Sequence, residues 1–201
     1  YVSRGNEKLN PAYSHRFNMH YNFTNLEKAR TLMWMFSFQT TQDYLAQSIY
    51  TGNNIPQDVI TEVGSTPIQY STTDNVDGYI DLRTHINYGL PLNFMKCNLN
   101  LMGGVSYREQ PSLINGKKNM ANNLGYNARV VLGSNISENV DFTIAWGGAF
   151  NQATNSLGTQ GKNEYFNHDV EASFKAVFLK GFTFTASASY TQYIGYTNDY
   201  N

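Results

Sequence analysis

The side chains with the clearest binding chemistry in this sequence are four arginines, Arg16, Arg83, Arg108 and Arg129. A guanidinium group is a planar fork of donors that matches carboxylates and phosphates. The strand pattern described below places all four on one polar face, and two interpretations are open. The arginines brace neighbouring strands, or they line an outer vestibule where an anionic or polar ligand binds. The other charged residues expected on this face are Asp81, Asp141, Glu171 and Lys175.

Tyrosines in the long loops and at strand ends form a second candidate set, represented by Tyr44, Tyr70 and Tyr165. Many Asn, Gln and Thr residues surround them, and tyrosines with amides can stack on and hydrogen-bond a sugar or a peptide. The alternative is that the tyrosines occupy interfaces and loops without a ligand. Further tyrosines of this kind are Tyr50, Tyr193, Tyr196 and Tyr200.

No motif in the chain points to catalysis, a metal or a cofactor. The histidines are His15, His20, His85 and His168. Their spacing includes no His-x-His or His-x-x-x-His pair, so we expect no metal site. Asp169 and Glu171 share a strand face, and we expect them to pair with Arg129 or Lys175 rather than to exchange protons with a substrate. Without a nucleophile or phosphate-binding motif, we expect neither an enzyme nor a bound cofactor.

The composition excludes several classes of protein. Charged residues make up only 14% of the chain, against about 25% in typical soluble domains. A formal net charge of -1 provides no basic surface for nucleic acid. The single cysteine, Cys97, leaves no internal disulfide. No apolar run reaches the roughly 18 residues of a membrane-spanning helix.

A period-2 alternation of apolar and polar residues recurs along nearly the whole chain. In residues 12–24, for example, Phe17, Met19 and Tyr21 alternate with Asn18 and His20. Successive side chains of a strand point to opposite faces, so each such segment has one apolar and one polar side. The alternation predicts about eight strands, at residues 12–24, 31–50, 78–90, 96–108, 126–133, 141–151, 169–178 and 182–190.

The connections between these strands alternate in length. Tight turns are expected near Glu27, Asn93, Ser137 and Lys180, and long loops at residues 53–76, 110–123 and 152–162. Short periplasmic turns and long outer loops are typical of outer-membrane barrels, so the tight turns should face the periplasm. On the apolar face, aromatic residues gather near both strand ends and aliphatic residues lie between them. This is the pattern of the two aromatic girdles of a membrane barrel.

Three segments resemble those of TonB-dependent receptors and related outer-membrane β-barrel proteins of the Bacteroidetes. Residues 4–14 are similar to the Gly-Asn-Pro-x-Leu-Lys-Pro-Glu segment that precedes a late strand of the barrel. Two differences are Glu7 in place of proline and Asn10-Pro11-Ala12 in place of Lys-Pro-Glu. Residues 75–92 and 107–116 resemble strand-and-turn patterns of the same group.

The resemblance implies a nutrient-uptake barrel of about twenty-two strands, with a plug and a TonB-type energy-coupling protein as partners. We therefore expect residues 1–201 to be one domain. That domain would be an all-β segment of a transmembrane antiparallel up-and-down barrel in the outer membrane, in contact with lipid and continued by barrel segments outside this chain. Two alternatives stay open. One is a non-transporting scaffold or adhesin barrel, and the other is a soluble carbohydrate-binding β-sandwich.

Two structural expectations follow. The apolar side chains of Phe17, Trp34, Leu82, Leu101, Ile144 and Phe174 should be exposed, with Arg83, Asn100, Arg129 and Glu171 on the other, concave face. The polar face is rich in small residues, which would fill a narrow eight-stranded barrel poorly. We therefore expect an open meander in which the first and last strands do not pair with each other.

Overall fold

The computed structural model describes residues 1–134, 139–157, 162–178 and 181–195. Within them, eleven strands form one hydrogen-bonded sheet. The all-β class is thereby confirmed, and the sheet is not a sandwich of two stacked sheets. In chain order the elements are β1 (Val2–Ser3), β2 (Tyr13–Asn25), β3 (Arg30–Gln42), β4 (Tyr44–Thr51), α1 (Gln57–Val63), β5 (Gln69–Val76), β6 (Tyr79–Leu92), β7 (Cys97–Ile114), β8 (Lys117–Ser134), β9 (Val140–Asn155), β10 (Asn163–Phe178) and β11 (Phe182–Ile194).

Eight of these strands form one antiparallel path. Its order is β2, β3, β6, β7, β8, β9, β10 and β11, and each strand pairs with the next. Each of the eight predicted segments overlaps one strand of this path, in the predicted order, but the sheet contains three further strands, β1, β4 and β5.

The second predicted strand, residues 31–50, is in fact two strands. β3 ends at Gln42, and Asp43 adopts a left-handed conformation with φ of 50° before β4 begins. The Asp43 N–H donates to the Asp77 carboxylate at 2.8 Å, and the Asn75 amide donates to the Asp43 carbonyl at 2.8 Å. The alternation continues through this break, and aspartate tolerates the left-handed region, so the pattern alone does not reveal it.

Two of the predicted long loops contain regular structure. The polar loop predicted at residues 110–123 is the end of a long hairpin, since β7 and β8 pair up to Ile114 and Lys117. Its turn is Asn115-Gly116, with φ of 53° and 76°, the dipeptide most typical of a two-residue hairpin turn. The loop predicted at residues 53–76 contains α1 and β5.

Some predicted features lie outside the described residues. These are the turn near Ser137, the turn near Lys180, residues 158–161 of the third long loop, and Tyr196 and Tyr200.

A small module, which we call the loop-end module, consists of β1, β4, α1 and β5. β4 pairs antiparallel with β5, β1 pairs parallel with β5, and β4 joins β7 through Ser48 and Ile49. Ile55, Val59 and Tyr70 form a buried cluster inside the module. α1 ends at Val63 and is followed by Gly64, whose φ of 74° suits the left-handed position after a helix. Among the described residues, no helix combines the length and the apolar character needed to cross a membrane.

The register separates the two faces of the eight-stranded path. Residues directly opposite each other in an antiparallel pair lie on the same face. One row on the apolar face is Phe23, Leu32, Tyr88, Leu101, Val130, Trp146, Val170 and Tyr190. One row on the polar face is Asn18, Ser37, Arg83, Ser106, Gly125, Asn151 and Tyr165. Two-faced strands therefore extend across the whole path.

The apolar face is not covered by any other part of the described chain. Exposed fractions are 56% for Phe17, 48% for Ile144 and 40% for Phe174, and Trp34 and Leu101 are each 37% exposed. Leu82 is half-buried. No sealed core holds these side chains, as the alternation predicted.

The strands are staggered, and the path does not close. At the turn end, Asn25 lies two residues beyond Phe23, whereas Phe178 lies eight residues beyond Val170 in the same row. β2 pairs only with β3 and β11 only with β10 within the described strands, so the expected open meander is confirmed. A progressive stagger of this kind accompanies the strand tilt of barrels.

Candidate functional site

The polar face carries a cleft near the ends of the strands farthest from the tight turns. Two adjoining cavities of about 330 Å³ and 300 Å³ share Asp81, Arg83 and Arg108. Arg16 lines the smaller cavity and Tyr165 the larger one. We call the joined cavities the arginine cleft. It contains four of the seven candidate binding residues, namely Arg16, Arg83, Arg108 and Tyr165.

Strand register brings these residues together. Asp81 and Arg83 are two positions apart on β6 and therefore share its polar face. Asp81 is directly opposite Arg108 on β7 and opposite Gln39 on β3. The charged groups of two strands thus meet in two adjacent rows.

One carboxylate holds two of the arginines. Arg83 donates from Nε to Asp81 Oδ1 at 2.8 Å and from Nη2 to Oδ2 at 2.9 Å, and Arg108 donates from Nε to Oδ2 at 2.7 Å. The Asp81 side chain is only 11% exposed, whereas Arg83 and Arg108 are 58% and 42% exposed. The carboxylate therefore lies beneath two guanidinium groups that face the cleft.

The cleft carries an excess of positive charge. Its lining contains three arginines and one carboxylate, Asp81, which gives a formal charge of +2. Arg16 donates from Nε and Nη2 to Gln39 Oε1, at 3.2 Å and 2.8 Å. Since that partner is a neutral amide, it does not compensate the charge of Arg16.

The rest of the larger cavity is lined by hydroxyl and amide side chains around a glycine. A Cβ atom added to Gly125 would lie 2.8 Å from Ser106 Oγ and 3.1 Å from Asn151 Oδ1. The glycine therefore lets both groups approach the floor of the cleft. The other polar side chains of this face that line the cavity are Asn123 and Tyr165.

Arg129 is not part of this cleft. Its row crosses β7 at Met102, six residues from Arg108, which is about 20 Å along an extended strand. Arg129 donates from Nη1 to Asp169 at 2.9 Å and from Nη2 to Glu171 at 2.6 Å. The expected pairing of Asp169 and Glu171 with Arg129 is thereby confirmed. We call these three residues the lower cluster.

The lower cluster spans three strands, and a glycine makes this possible. Arg129 is on β8 and Asp169 on β10, with Gly147 of β9 between them in the same row. A Cβ at Gly147 would lie 2.6 Å from Asp169 Oδ1 and 3.1 Å from Arg129 Nη1. Arg129 thus reaches across an entire strand to its partner.

Tyr44 and Tyr70 lie outside the arginine cleft. The Tyr44 ring stacks on Tyr79 at 4.5 Å, with an interplanar angle of 9°, and its hydroxyl accepts a hydrogen bond from Gln110 Nε2 at 3.2 Å. Tyr79 in turn lines the smaller cavity. Tyr70 is 7% exposed and packs in the loop-end module.

The loop-end module has a further depression, of about 380 Å³, beside Tyr50. Burial, followed by the negative charge of Asp74 and the neighbouring Tyr70 hydroxyl, raises the pKa of the Tyr50 hydroxyl above its ordinary value. The hydroxyl therefore stays protonated over the physiological range. This depression is also lined by two cations and three carboxylates, which give a formal charge of -1: Arg4, Lys8, Glu7, Asp58 and Asp74.

Several cleft residues were not among the binding candidates taken from the sequence. Asp81 could have been found, because an acid and an arginine two positions apart, Asp81 and Arg83, share one face of a strand. Ser106, Asn123 and Asn151 join the cleft only through the pairing of β7, β8 and β9. No signal within a single strand identifies them.

Within the part of the chain that the structure describes, no group of three or more His, Cys, Asp or Glu side chains could hold a metal ion. Cys97 is buried, and its Sγ donates to the Met95 carbonyl oxygen at 3.2 Å. Neither observation adds a ligand to the polar face.

Comparison with known proteins places the chain in a family. Searches among curated proteins and among solved structures gave no match. A family model, described as the outer membrane protein beta-barrel family, matches residues 1–197, which is nearly the whole chain. The two-faced, staggered sheet is consistent with that match. The chain therefore belongs to the outer membrane protein beta-barrel family, and its location is the outer membrane.

Proposed function

We propose that this chain forms part of the wall of a transmembrane up-and-down β-barrel that takes up a nutrient across the outer membrane, as TonB-dependent receptors do. The observation that carries the proposal is the separation of an apolar and a polar face across eight consecutive strands. On this proposal lipid covers the apolar face, and the polar face lines the passage of the solute. The proposal includes no catalytic step.

Energetics favour this orientation of the sheet. Placing Arg or Lys on the lipid side at the middle of the membrane costs about 2 to 4 kcal/mol. Arg83 and Arg129, with Asp169 and Glu171, all lie on the polar face. The opposite orientation would bring each of them into lipid.

The aromatic side chains support the same orientation. Tyr126 packs beside Phe150 near the loop end of the apolar face, and Phe178 stacks on Phe182 at the opposite end, where β10 ends and β11 begins. Ile144 and Val130 lie between these two groups. Aromatic side chains prefer the two membrane interfaces, and aliphatic ones suit the hydrocarbon region.

In the complete protein, the open edges of β2 and β11 would pair with barrel segments outside this chain. A plug segment and a TonB-type energy-coupling protein would be the further partners. Closure of the sheet by additional strands would remove both open edges, which are otherwise free to pair with other chains.

Cysteine labelling tests the membrane orientation. Ala172 and Ser173 are neighbours on β10, both exposed, and they point to opposite faces. In a Cys97→Ser background, we expect a charged, water-soluble thiol reagent to modify Ser173→Cys in intact outer membranes. Ala172→Cys should react only with an apolar maleimide. Equal labelling of both by the charged reagent would refute the membrane wall.

An uptake assay tests the transport step. Cells that carry the protein should accumulate a pool of radiolabelled oligosaccharides and oligopeptides too large for general pores, and a protonophore should abolish the accumulation. Cells that lack the gene should not accumulate the pool. Uptake that is unchanged in those cells would contradict the proposal.

A scaffold or adhesin barrel is the second candidate, and the loop-end module favours it. Leu45 of β4 is 46% exposed, and two side chains beside the module, Ile68 before β5 and Ile114 at the end of β7, are 76% and 40% exposed. They could contact another protein. Loss of cell attachment with normal uptake after deletion of the gene would favour this alternative.

A further inference from the structure

We propose that the arginine cleft binds a carboxylate-bearing saccharide, with Arg83 and Arg108 holding the carboxylate and the neighbouring amides and hydroxyls holding the sugar. The inference names a substrate class for the passage and, as far as transport is concerned, rests on the proposed function. Binding itself depends only on the cleft.

Asp81 leaves several N–H donors of Arg83 and Arg108 free to bind a ligand. Within the described residues, Arg108 uses only Nε and Arg83 uses Nε and Nη2. Both Nη groups of Arg108 and the Nη1 group of Arg83 are left to donate. Two partly exposed guanidinium groups beside each other suit a carboxylate, which accepts parallel hydrogen bonds.

Asp81 holds the two arginine side chains in place for a ligand. Asp81 is nearly buried and contacts both arginines, so it fixes their side chains before any ligand arrives. Ordering a long side chain on binding costs about 0.5 to 1.5 kcal/mol. That cost is largely removed here, because the carboxylate of the protein already holds both side chains in place.

The positive charge of the cleft favours binding of an anion. The cleft has a formal charge of +2, and its single carboxylate is covered by three hydrogen bonds from arginines. An incoming anion therefore meets guanidinium groups rather than an exposed carboxylate. A positively charged concave surface also concentrates anions near it.

The size and the polar lining of the two cavities suit a sugar ring. Cavities of about 330 Å³ and 300 Å³ reach the lower end of the range of small-molecule sites and exceed the need of a bare inorganic ion. The larger cavity presents Ser106, Asn123 and Asn151 beside the Tyr165 ring. Hydroxyl and amide groups around a tyrosine suit a polyhydroxylated ring better than an apolar acid.

The lower cluster provides the matched control. Arg129 is held by two carboxylates, and a third would be repelled by the net negative charge of that cluster. It lies on the same face and undergoes the same substitution without being part of the cleft. If general surface charge controls binding, substitution of Arg129 will weaken binding as much as substitution of Arg83 or Arg108. If the cleft is a specific site, only substitution of Arg83 or Arg108 will weaken it.

The experiment is calorimetric titration of the natural protein in detergent micelles. The probes are an oligogalacturonate, a neutral maltooligosaccharide of equal length, and inorganic phosphate. We expect binding of the oligogalacturonate alone. Arg83→Gln and Arg108→Gln should each weaken it about tenfold or more, because hydrogen bonds to charged groups are among the stronger ones. Arg129→Gln should change it by less than about twofold.

Two further variants keep the test decisive if a glutamine variant fails to fold. Arg83→Lys retains the charge but not the planar fork and should also weaken binding about tenfold. Asn151→Ala should weaken binding of the oligogalacturonate severalfold. Heat-modifiable migration on a gel verifies the fold of each variant.

Other outcomes would overturn the inference. Equal binding of the neutral oligosaccharide would remove the role of the carboxylate, and equal binding of phosphate would reduce the cleft to a simple anion site. Equal losses with Arg129→Gln would indicate general electrostatics. No binding of the oligogalacturonate, with normal face-specific cysteine labelling, would refute this inference alone. Binding without face-specific labelling would instead refute the proposed membrane passage.

Discussion

The arginine cleft and the lower cluster both combine guanidinium and carboxylate groups, but in opposite ratios. In the cleft, Asp81 is shared by Arg83 and Arg108, and in the lower cluster Arg129 is shared by Asp169 and Glu171. The first triad has a formal charge of +1 and the second of -1. Both hold neighbouring strands together. Only the first leaves donors facing an open cavity, so bracing and binding are not exclusive roles of such residues.

The depth of the shared group also differs. The Asp81 side chain is 11% exposed, whereas the Arg129 side chain is 35% exposed. A nearly buried centre makes its partners depend on it, because its loss leaves two like charges close together. The lower cluster has a more solvated centre and should tolerate changes better.

The largest expected effect is loss of the shared carboxylate of the cleft. Asp81→Asn leaves Arg83 and Arg108 near each other without a compensating charge. Because both arginines are partly exposed, we expect a loss of about 2 kcal/mol in the free energy of unfolding, less than for a fully buried pair. Asp169→Asn, which leaves Arg129 with Glu171, should cost about 1 kcal/mol or less.

Urea unfolding in detergent micelles measures both values. Equal losses for Asp81→Asn and Asp169→Asn would show that the ratio of charges has no effect on stability. Because the Asp81 side chain is also the more buried carboxylate, at 11% against 27% exposed for Asp169, equal losses would show that its burial has no effect either.

The next effect concerns the glycine that lets the lower cluster span three strands. An alanine at position 147 would bring its Cβ to 2.6 Å from Asp169 Oδ1, so the Arg129 to Asp169 contact must shift. We expect Gly147→Ala to cost about 1 kcal/mol of unfolding free energy, comparable to a lost salt-bridge contact. Gly133→Ala is the control, since a Cβ there would meet no atom within 4 Å.

Thermal unfolding of the two variants, followed by gel migration, tests this expectation. A loss for Gly133→Ala as large as that for Gly147→Ala would attribute the effect to strand glycines in general rather than to the crossing arginine.

The alternation of residue types was sufficient to predict the eight strands and their faces, because each strand has to present one side to an apolar and one to a polar environment. It could not predict the rows. Arg129 has the parity of Arg16, Arg83 and Arg108 relative to the polar face and was expected with them, but register puts its row about 20 Å away. Register depends on turns between strands, such as Asn115-Gly116, and on the break at Asp43, which alternation does not detect.

Tyr70 shows a similar limit. In the sequence it resembles any loop tyrosine beside polar residues, yet α1 supplies Val59, and with Ile55 these side chains bury the Tyr70 ring. Composition of a loop gives little information about whether the loop has its own small core. The Tyr165 side chain was expected in a binding site on the same grounds, and it does line the arginine cleft.

The smallest expected effect is a difference in coupling energy between the two ion pairs of the lower cluster. It shows whether contact distance or burial of the carboxylate controls the strength of each pair. Glu171 is the closer partner of Arg129, at 2.6 Å against 2.9 Å for Asp169, but it is 53% exposed against 27%. Water screens an exposed pair more strongly than it screens a partly buried one. We therefore expect a coupling energy of about 1 kcal/mol for Arg129 with Asp169 and about 0.3 kcal/mol for Arg129 with Glu171.

Two double-mutant cycles measure these couplings, one with Arg129→Gln and Asp169→Asn and the other with Arg129→Gln and Glu171→Gln. Each cycle subtracts the effects of the single changes on unfolding in urea, so the remaining term belongs to the pair. Added salt should reduce the Glu171 term first, because its carboxylate is the more exposed. A larger coupling for Glu171 would mean that distance outweighs burial on this face. The stability of Asp81 with its two arginines should then follow their contact distances rather than the depth of the carboxylate.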